Sequence, residues 1–180
     1  MIHNISKSSD TVAVTDTAGL GAILGAPHFH YAFECIGPDG QVKWTEEFDN
    51  LVTTVGKTDI VDKYFKGATY TAAWFMGLKG TGTAAVGDTA ASHAGWAEVV
   101  PYSAATRPAI TFGTTSAGSN TATAVSYAIN ATSTVAGAFV ITDNTKSGTA
   151  GTLYSAGDFS ASRSVASGDT LNVTLTVSIT

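Results

Sequence analysis

Two histidines, His28 and His30, stand two residues apart. In a strand this spacing projects both imidazoles from one face, as it does in some zinc enzymes. A zinc site needs a third ligand, and His3 and His93 are remote in sequence. The pair therefore reads as surface or packed histidines on a sheet. Glu34, Glu46, Glu47 and Glu98 are the carboxylates from which a glycosidase pair would be drawn. Adjacent strand residues face opposite ways, so Glu46 and Glu47 make no such pair. Gly77-Leu-Lys-Gly-Thr-Gly82 lacks the order of a phosphate loop and leads into no expected helix. No His-Glu-x-x-His and no Gly-x-Ser-x-Gly is present. Trp44, Trp74 and Trp96 are candidates for stacking a sugar, although tryptophans in a small β domain are more often core. The sequons at Asn4, Asn130 and Asn172 are chance matches in a Thr-rich chain. No catalytic, cofactor or metal residue is assigned, and an enzyme is not expected.

The elements that would carry these residues are mostly strands. Residues 28–36 are rich in aromatics and read as a strand; Gly37-Pro-Asp-Gly40 then supplies a turn, and 41–48 a second strand of a hairpin. In that strand Val42, Trp44 and Glu46 share a face. Residues 57–66 predict the single helix, capped by Thr58, with Ile60, Val61, Tyr64 and Phe65 on the face that packs on the sheet. Further strands are expected over 69–78, 96–102, 108–113, 121–130, 134–142 and 170–180, with a weaker one near 152–160. Gly80–Gly95 reads as a long loop, in which Asp88 and Thr89 would cap one helical turn. The closing strand is the cleanest: Leu171, Val173, Leu175, Val177 and Ile179 alternate strictly with polar residues. Eight or nine short strands, one short helix and no internal repeat predict a mainly β fold, an antiparallel β-sandwich or jelly roll.

Residues 1–27 read as an extended N-terminal arm, with 28–180 as a single β-sandwich domain. Sparse apolar groups (Ile2, Ile5, Val12, Val14, Leu20, Ile23, Leu24) lie among glycines and polar residues. An arm ordered against a neighbour and an edge strand of the same domain are equally consistent with this pattern.

Composition limits the partners. Hydrophobic residues make up 44% of the 180 and charged ones only 13%, about half the usual share. Ala, Thr, Ser and Gly fill the difference. Such a surface repels neighbours weakly and suits a chain whose faces are covered by partners. Net charge is −5, and no run of Lys or Arg could follow a phosphate backbone, so nucleic acid is not an expected partner. Residues 1–66 hold nine acidic and five basic side chains against five and four in 67–180. The single cysteine, Cys35, excludes an internal disulfide and reads as a buried thiol, consistent with cytosolic synthesis. No stretch is apolar enough to span a membrane, and the N-terminus, with Lys7 as its one cation, does not read as a signal peptide.

Several blocks are similar to structural proteins of tailed bacteriophages. They are Phe48-Asp-Asn-Leu-Val52 with Gly56-Lys57, Ala94-Gly-Trp-Ala-Glu98 with Tyr102, and Ala105-Thr-Arg-Pro108. Ile129-Asn-Ala-Thr132 with Gly137, Thr149 to Leu153, and Val165-Ala-Ser-Gly-Asp-Thr-Leu-Asn-Val-Thr174 complete the series. Each block is short, and their order over 48–180 is what carries the resemblance. It implies a non-enzymatic virion component made in the host bacterial cytoplasm. Size and architecture favour a capsid decoration (cement) protein on the capsid surface, bound to the major capsid protein and to copies of itself as a dimer or trimer. A tail-side piece (fibre, baseplate or connector adaptor) is the alternative, followed by a carbohydrate-binding module using Trp44 or Trp96. Interface candidates are Ile2, Ile5, Leu20 and Leu24 in the arm, with Trp96 and Arg107 beside the long loop.

Overall fold

The computed structural model describes residues 27–70 and 72–179. It is a two-sheet antiparallel β-sandwich. The first sheet pairs β1 (Pro27–Ile36) with β2 (Val42–Asp49) on one side and β10 (Thr170–Ile179) on the other. Two short strands, β6 (Ser119–Thr121) and β7 (Val125–Ala128), line up along the far edge of β10. The second sheet runs β3 (Leu51–Val52), β9 (Leu153–Val165), β8 (Ser133–Ile141), β4 (Phe75–Lys79), β5 (Glu98–Val99).

The expected hairpin forms, with Gly40 at φ 76° in its turn, a value that favours glycine. Alternation decides which side of β1 is core. Phe29, Tyr31, Phe33 and Cys35 are buried, while His28, His30 and Glu34 lie on the other face. On β10, Leu171, Val173 and Leu175 are fully buried, whereas Val177 is half-buried and Ile179 is exposed at the end of the strand. Each fully buried Leu or Val contributes about 1.5–3 kcal/mol of apolar transfer. Phe33 meets Phe159 of the other sheet edge-on at 4.8 Å, and Tyr31 stacks on Phe48 at 4.8 Å. Trp44 is half-buried against Phe159, and its indole N–H donates to the Ser164 carbonyl, tying β2 to β9.

The second sheet is covered on both faces, which is why β8 is buried at seven successive positions, Val135 to Ile141. One face belongs to the main core. The other carries Phe139, Ile141, Leu153 and Ala156, roofed by Ala90 and Trp96 from the 80–97 loop. Phe139 lies directly over Gly77, where a Cβ would come within 2.1 Å of the ring. That close approach leaves no room for a side chain on β4.

Several expectations are corrected. The helix α1 spans Thr54–Ile60, starting before residue 57, and continues as a π-type turn over Val61–Phe65. Its cap is Thr53, whose Oγ1 accepts from the Gly56 N–H at 3.1 Å; Thr58 instead donates to the Thr54 carbonyl. Gly56 is a weak helix former, but it lets the helix approach Tyr154, whose carbonyl oxygen would lie 2.7 Å from a Cβ there. Packing through that glycine turns Val61, Tyr64 and Phe65 outward, and all three are exposed rather than buried on the sheet.

Strand β4 begins at Phe75, not residue 69. The expected strands at 96–102 and 108–113 shrink to β5 and isolated bridges. Pro101 and Pro108 have no N–H for a ladder, which limits both. The 121–130 strand resolves into β6 and β7. Asp88 and Thr89 start no helical turn; the Asp88 carboxylate accepts from the Trp96 indole N–H and the Ala85 N–H. The weakest expectation, near 152–160, is the longest strand, β9, at 13 residues. Its Ser155-Ala-Gly157 run lacks β-formers because the space is taken: the Phe48 ring would lie 2.3 Å from a Cβ on Gly157.

Candidate functional site

The residues first singled out for chemistry are engaged within the fold. His28 and His30 share a face and both meet Asp49 of β2, at 3.4 and 2.8 Å. The His30 hydrogen bond, outweighing slight burial, holds the Asp49 carboxyl below its ordinary range. No group of three or more His, Cys, Asp or Glu among the described residues is placed to hold a metal. His93 stacks on Trp96 at 4.1 Å. Glu46 is buried and accepts from Arg163 Nε at 2.7 Å, while Glu47 projects from the opposite face into solvent. Glu98 is held by Arg107 through two bonds of 2.9 and 3.0 Å. The two buried glutamates thus sit in different sheets, each neutralised by its own arginine.

Lys79, from the glycine-rich piece, is fully buried in β4 and paired with Asp158 at 2.5 Å. The exposure expected of Trp96 and Arg107 as interface residues is not found. They are 6% and 3% exposed, with Trp96 packed on Phe139 and Arg107 on Glu98. Trp44 lies on β2 of the first sheet and Trp96 in the loop that roofs the second, so they make no shared platform. Ile2, Ile5, Leu20 and Leu24 lie outside the described residues.

Asp169, in the turn before β10, is 1% exposed and accepts from Lys43 Nζ at 2.6 Å and from the Ala166 N–H at 2.8 Å. Burial pushes its carboxyl up, but these two donors outweigh it and leave it below the ordinary range. Cys35 Sγ lies 3.8 Å from the same carboxylate; burial, then that negative charge, pushes the thiol up to about 11. A depressed carboxyl stabilises the fold above its unfolded value, about 3.9. That contribution is lost as pH falls through the lower folded value. The stability difference between the native chain and Asp169→Asn is therefore expected to be constant near neutrality and to shrink below about pH 4. Urea titrations of both chains from pH 7 to pH 2.5 measure it, and a difference independent of pH would contradict the assignment.

Among the described residues, an apolar groove of about 540 Å³ opens at one end of the sandwich. One wall is Pro27 and Phe29 of β1 with Val177 and Ile179 of β10. The other is Ile60, Lys63 and Tyr64 of the helix with Tyr70, Trp74 and Tyr154. The aromatics lock one another. Trp74 meets Tyr154 edge-on at 4.5 Å and donates its indole N–H to Tyr70 Oη at 2.9 Å. Lys63 pairs with Asp59 at 3.0 Å and sits over the Tyr70 ring, and Tyr154 donates to the same Asp59. The polar groups on this wall are thus satisfied by each other, and the groove's surface is mostly carbon, although Thr115, Ser119, Asn120 and Ser178 also line it.

Among the described residues the rim is exposed, with Tyr64 84% and Ile179 59% exposed, and Phe65, beside Tyr64, 77% exposed. The sequence assigned Tyr64 and Phe65 to a buried helix face, so the groove was not visible in it. The only available signal was Thr53 followed three residues later by Gly56, a cap and a close-approach glycine that shift the helix start.

Neither protein-family models, nor curated proteins, nor solved structures include one that matches this chain.

Proposed function

We propose that this chain is a non-enzymatic structural protein of a tailed-phage virion. Within that class it acts as a capsid decoration protein that binds the outside of the shell and stabilises contacts between major capsid subunits. The observation that carries the reading is the apolar groove with its exposed rim of Tyr64 and Ile179, and exposed Phe65 beside Tyr64. A surface of this kind on a chain so poor in charge is suited to being covered by protein. The ordered blocks similar to phage structural proteins support the same reading.

Those blocks fall on positions that build the sandwich. Phe48 stacks on Tyr31, Trp96 roofs the second sheet, and Asp169 anchors the turn into β10. What they support is therefore a shared architecture, into which partner binding is set by the surface. A two-layer domain held by buried ion pairs such as Glu98–Arg107 suits a clamp between subunits, and repetition over a shell would add avidity to a modest single contact.

The test is the copy number in purified particles that contain this chain, by quantitative mass spectrometry against the major capsid protein. Decoration requires hundreds of copies. A count near six or twelve would overturn it and favour a tail-side position.

A further inference from the structure

The helix that walls the groove is held at two points by one residue of β9. The Tyr154 carbonyl accepts from the Thr53 N–H at 3.0 Å and packs against Gly56. At the far end of the same residue, the Tyr154 hydroxyl donates to Asp59. Gly56 and Asp59 are three residues apart, so both lie within about 60° of each other on one helix face. We propose that Asp59 is the positioning residue of the groove: its bond to Tyr154 stops the helix from pivoting on Gly56, and so holds Lys63 and Tyr64 where they line the opening. The inference deepens the proposed function, and rests on it only for what the positioned wall then binds.

Asp59 is the joint at which the wall closes on itself. Its Oδ2 takes the Tyr154 hydroxyl and, at 3.0 Å, the Lys63 ammonium. Lys63 lies over the Tyr70 ring, Tyr70 Oη accepts from the Trp74 N–H, and Trp74 meets Tyr154 edge-on. The contacts form a ring, Asp59–Tyr154–Trp74–Tyr70–Lys63, in which no side chain turns without displacing two neighbours. Water competes weakly for the central bond, because the Asp59 side chain is 17% exposed and Tyr154 only 3%. A hydrogen bond to a carboxylate is among the strong ones, more so where water is excluded. Packing cannot replace it, since none of the five residues of the π-type turn after Ile60 is buried. A wall fixed before a partner arrives need not be ordered on binding, which removes part of the cost of association.

The test separates position from stability. Asp59→Ala, Tyr154→Phe and the two combined are made in the full chain carrying Lys66→Cys and Ser126→Cys, both exposed sites, for spin labelling; Cys35 is buried and stays unlabelled. Double electron–electron resonance should give one narrow distance without further substitution. Each single variant should at least double its width, and the combined variant should widen it no further than Asp59→Ala does, because both changes remove the same bond. Asp59→Asn, which keeps an acceptor for the hydroxyl, should stay near the native width. Native width in Asp59→Ala or Tyr154→Phe, even with a lowered Tm, would overturn the proposal by leaving the bond a role in stability alone. A combined variant broader than Asp59→Ala would overturn it too. Unlabelled Asp59→Ala and Tyr154→Phe should then bind purified shells lacking this chain several-fold more weakly than the native chain. Full binding by a variant whose wall has loosened would overturn the link to the partner. A native chain that does not bind such shells would overturn the decoration reading alone, with the distances still deciding the positioning.

Discussion

Glu98→Ala is expected to destabilise the fold by about 3–5 kcal/mol, the usual effect of removing one partner from a buried ion pair. Arg107 and Glu98 side chains are each 3% exposed, and without Glu98 the guanidinium keeps only the Asp143 carboxylate, 3.7 Å away, as a counter-charge. The loss is wider than one pair. Glu98 also accepts from the Ser147 N–H, and Arg107 donates to the Asp143 and Gly148 carbonyls. This network fastens edge strand β5 to the 143–148 loop. For a domain of this size the change corresponds to a drop in Tm of roughly 6–20 °C. The double variant Glu98→Leu/Arg107→Met should recover much of it, since an apolar pair of closer volume leaves no buried charge to compensate. By contrast, Lys66 and Asp62, an exposed helix pair, should contribute well under 1 kcal/mol. Guanidinium melts of the variants check both. A double variant as unstable as Glu98→Ala would show that the ion pair is not the cause.

Tyr31→Ala is expected to be comparably severe, about 3–5 kcal/mol, because a fully buried aromatic leaves a cavity that the sandwich cannot close. Tyr31 stacks on Phe48 in its own sheet and bonds Ser155 of the other at 2.7 Å. Removing only the hydroxyl separates the two effects. Tyr31→Phe strands the buried Ser155 hydroxyl and should cost about 1–3 kcal/mol. Adding Ser155→Ala removes both polar groups and should return most of that loss. If the double variant is no better than Tyr31→Phe, the inter-sheet hydrogen bond is not what Tyr31 contributes beyond packing.

Residues 28–36 and 170–179 show what alternation alone specifies. The first buries every second side chain and the second does so as far as Leu175, so their faces were readable before any pairing was known, and they prove to be neighbours in one sheet. The Gly37–Gly40 turn was equally legible, since Gly40 occupies a backbone region that glycine favours. Strand β9 was hard to read for the opposite reason. Its small residues answer to Phe48, which arrives from more than a hundred positions away, and no local window contains that constraint.

The candidate site follows the same division. Its aromatics were all visible as residues, but Tyr64 and Phe65 were assigned to the inside. A three-to-four spacing says only that they share a face, not which way the face turns. That direction depends on where Gly56 meets the Tyr154 backbone, a contact between the helix and β9. Trp96 and Arg107 failed in reverse, because residues in a polar, glycine-rich stretch look exposed until the loop closes over Phe139. The sequence by itself determined the β class, the hairpin, the two alternating strands and the buried thiol, all consequences of local backbone chemistry and period-two patterning. Only the tertiary structure decided the order of strands, the burial of the charged pairs and the apolar groove. Each of those arises from groups distant in the chain competing for the same space.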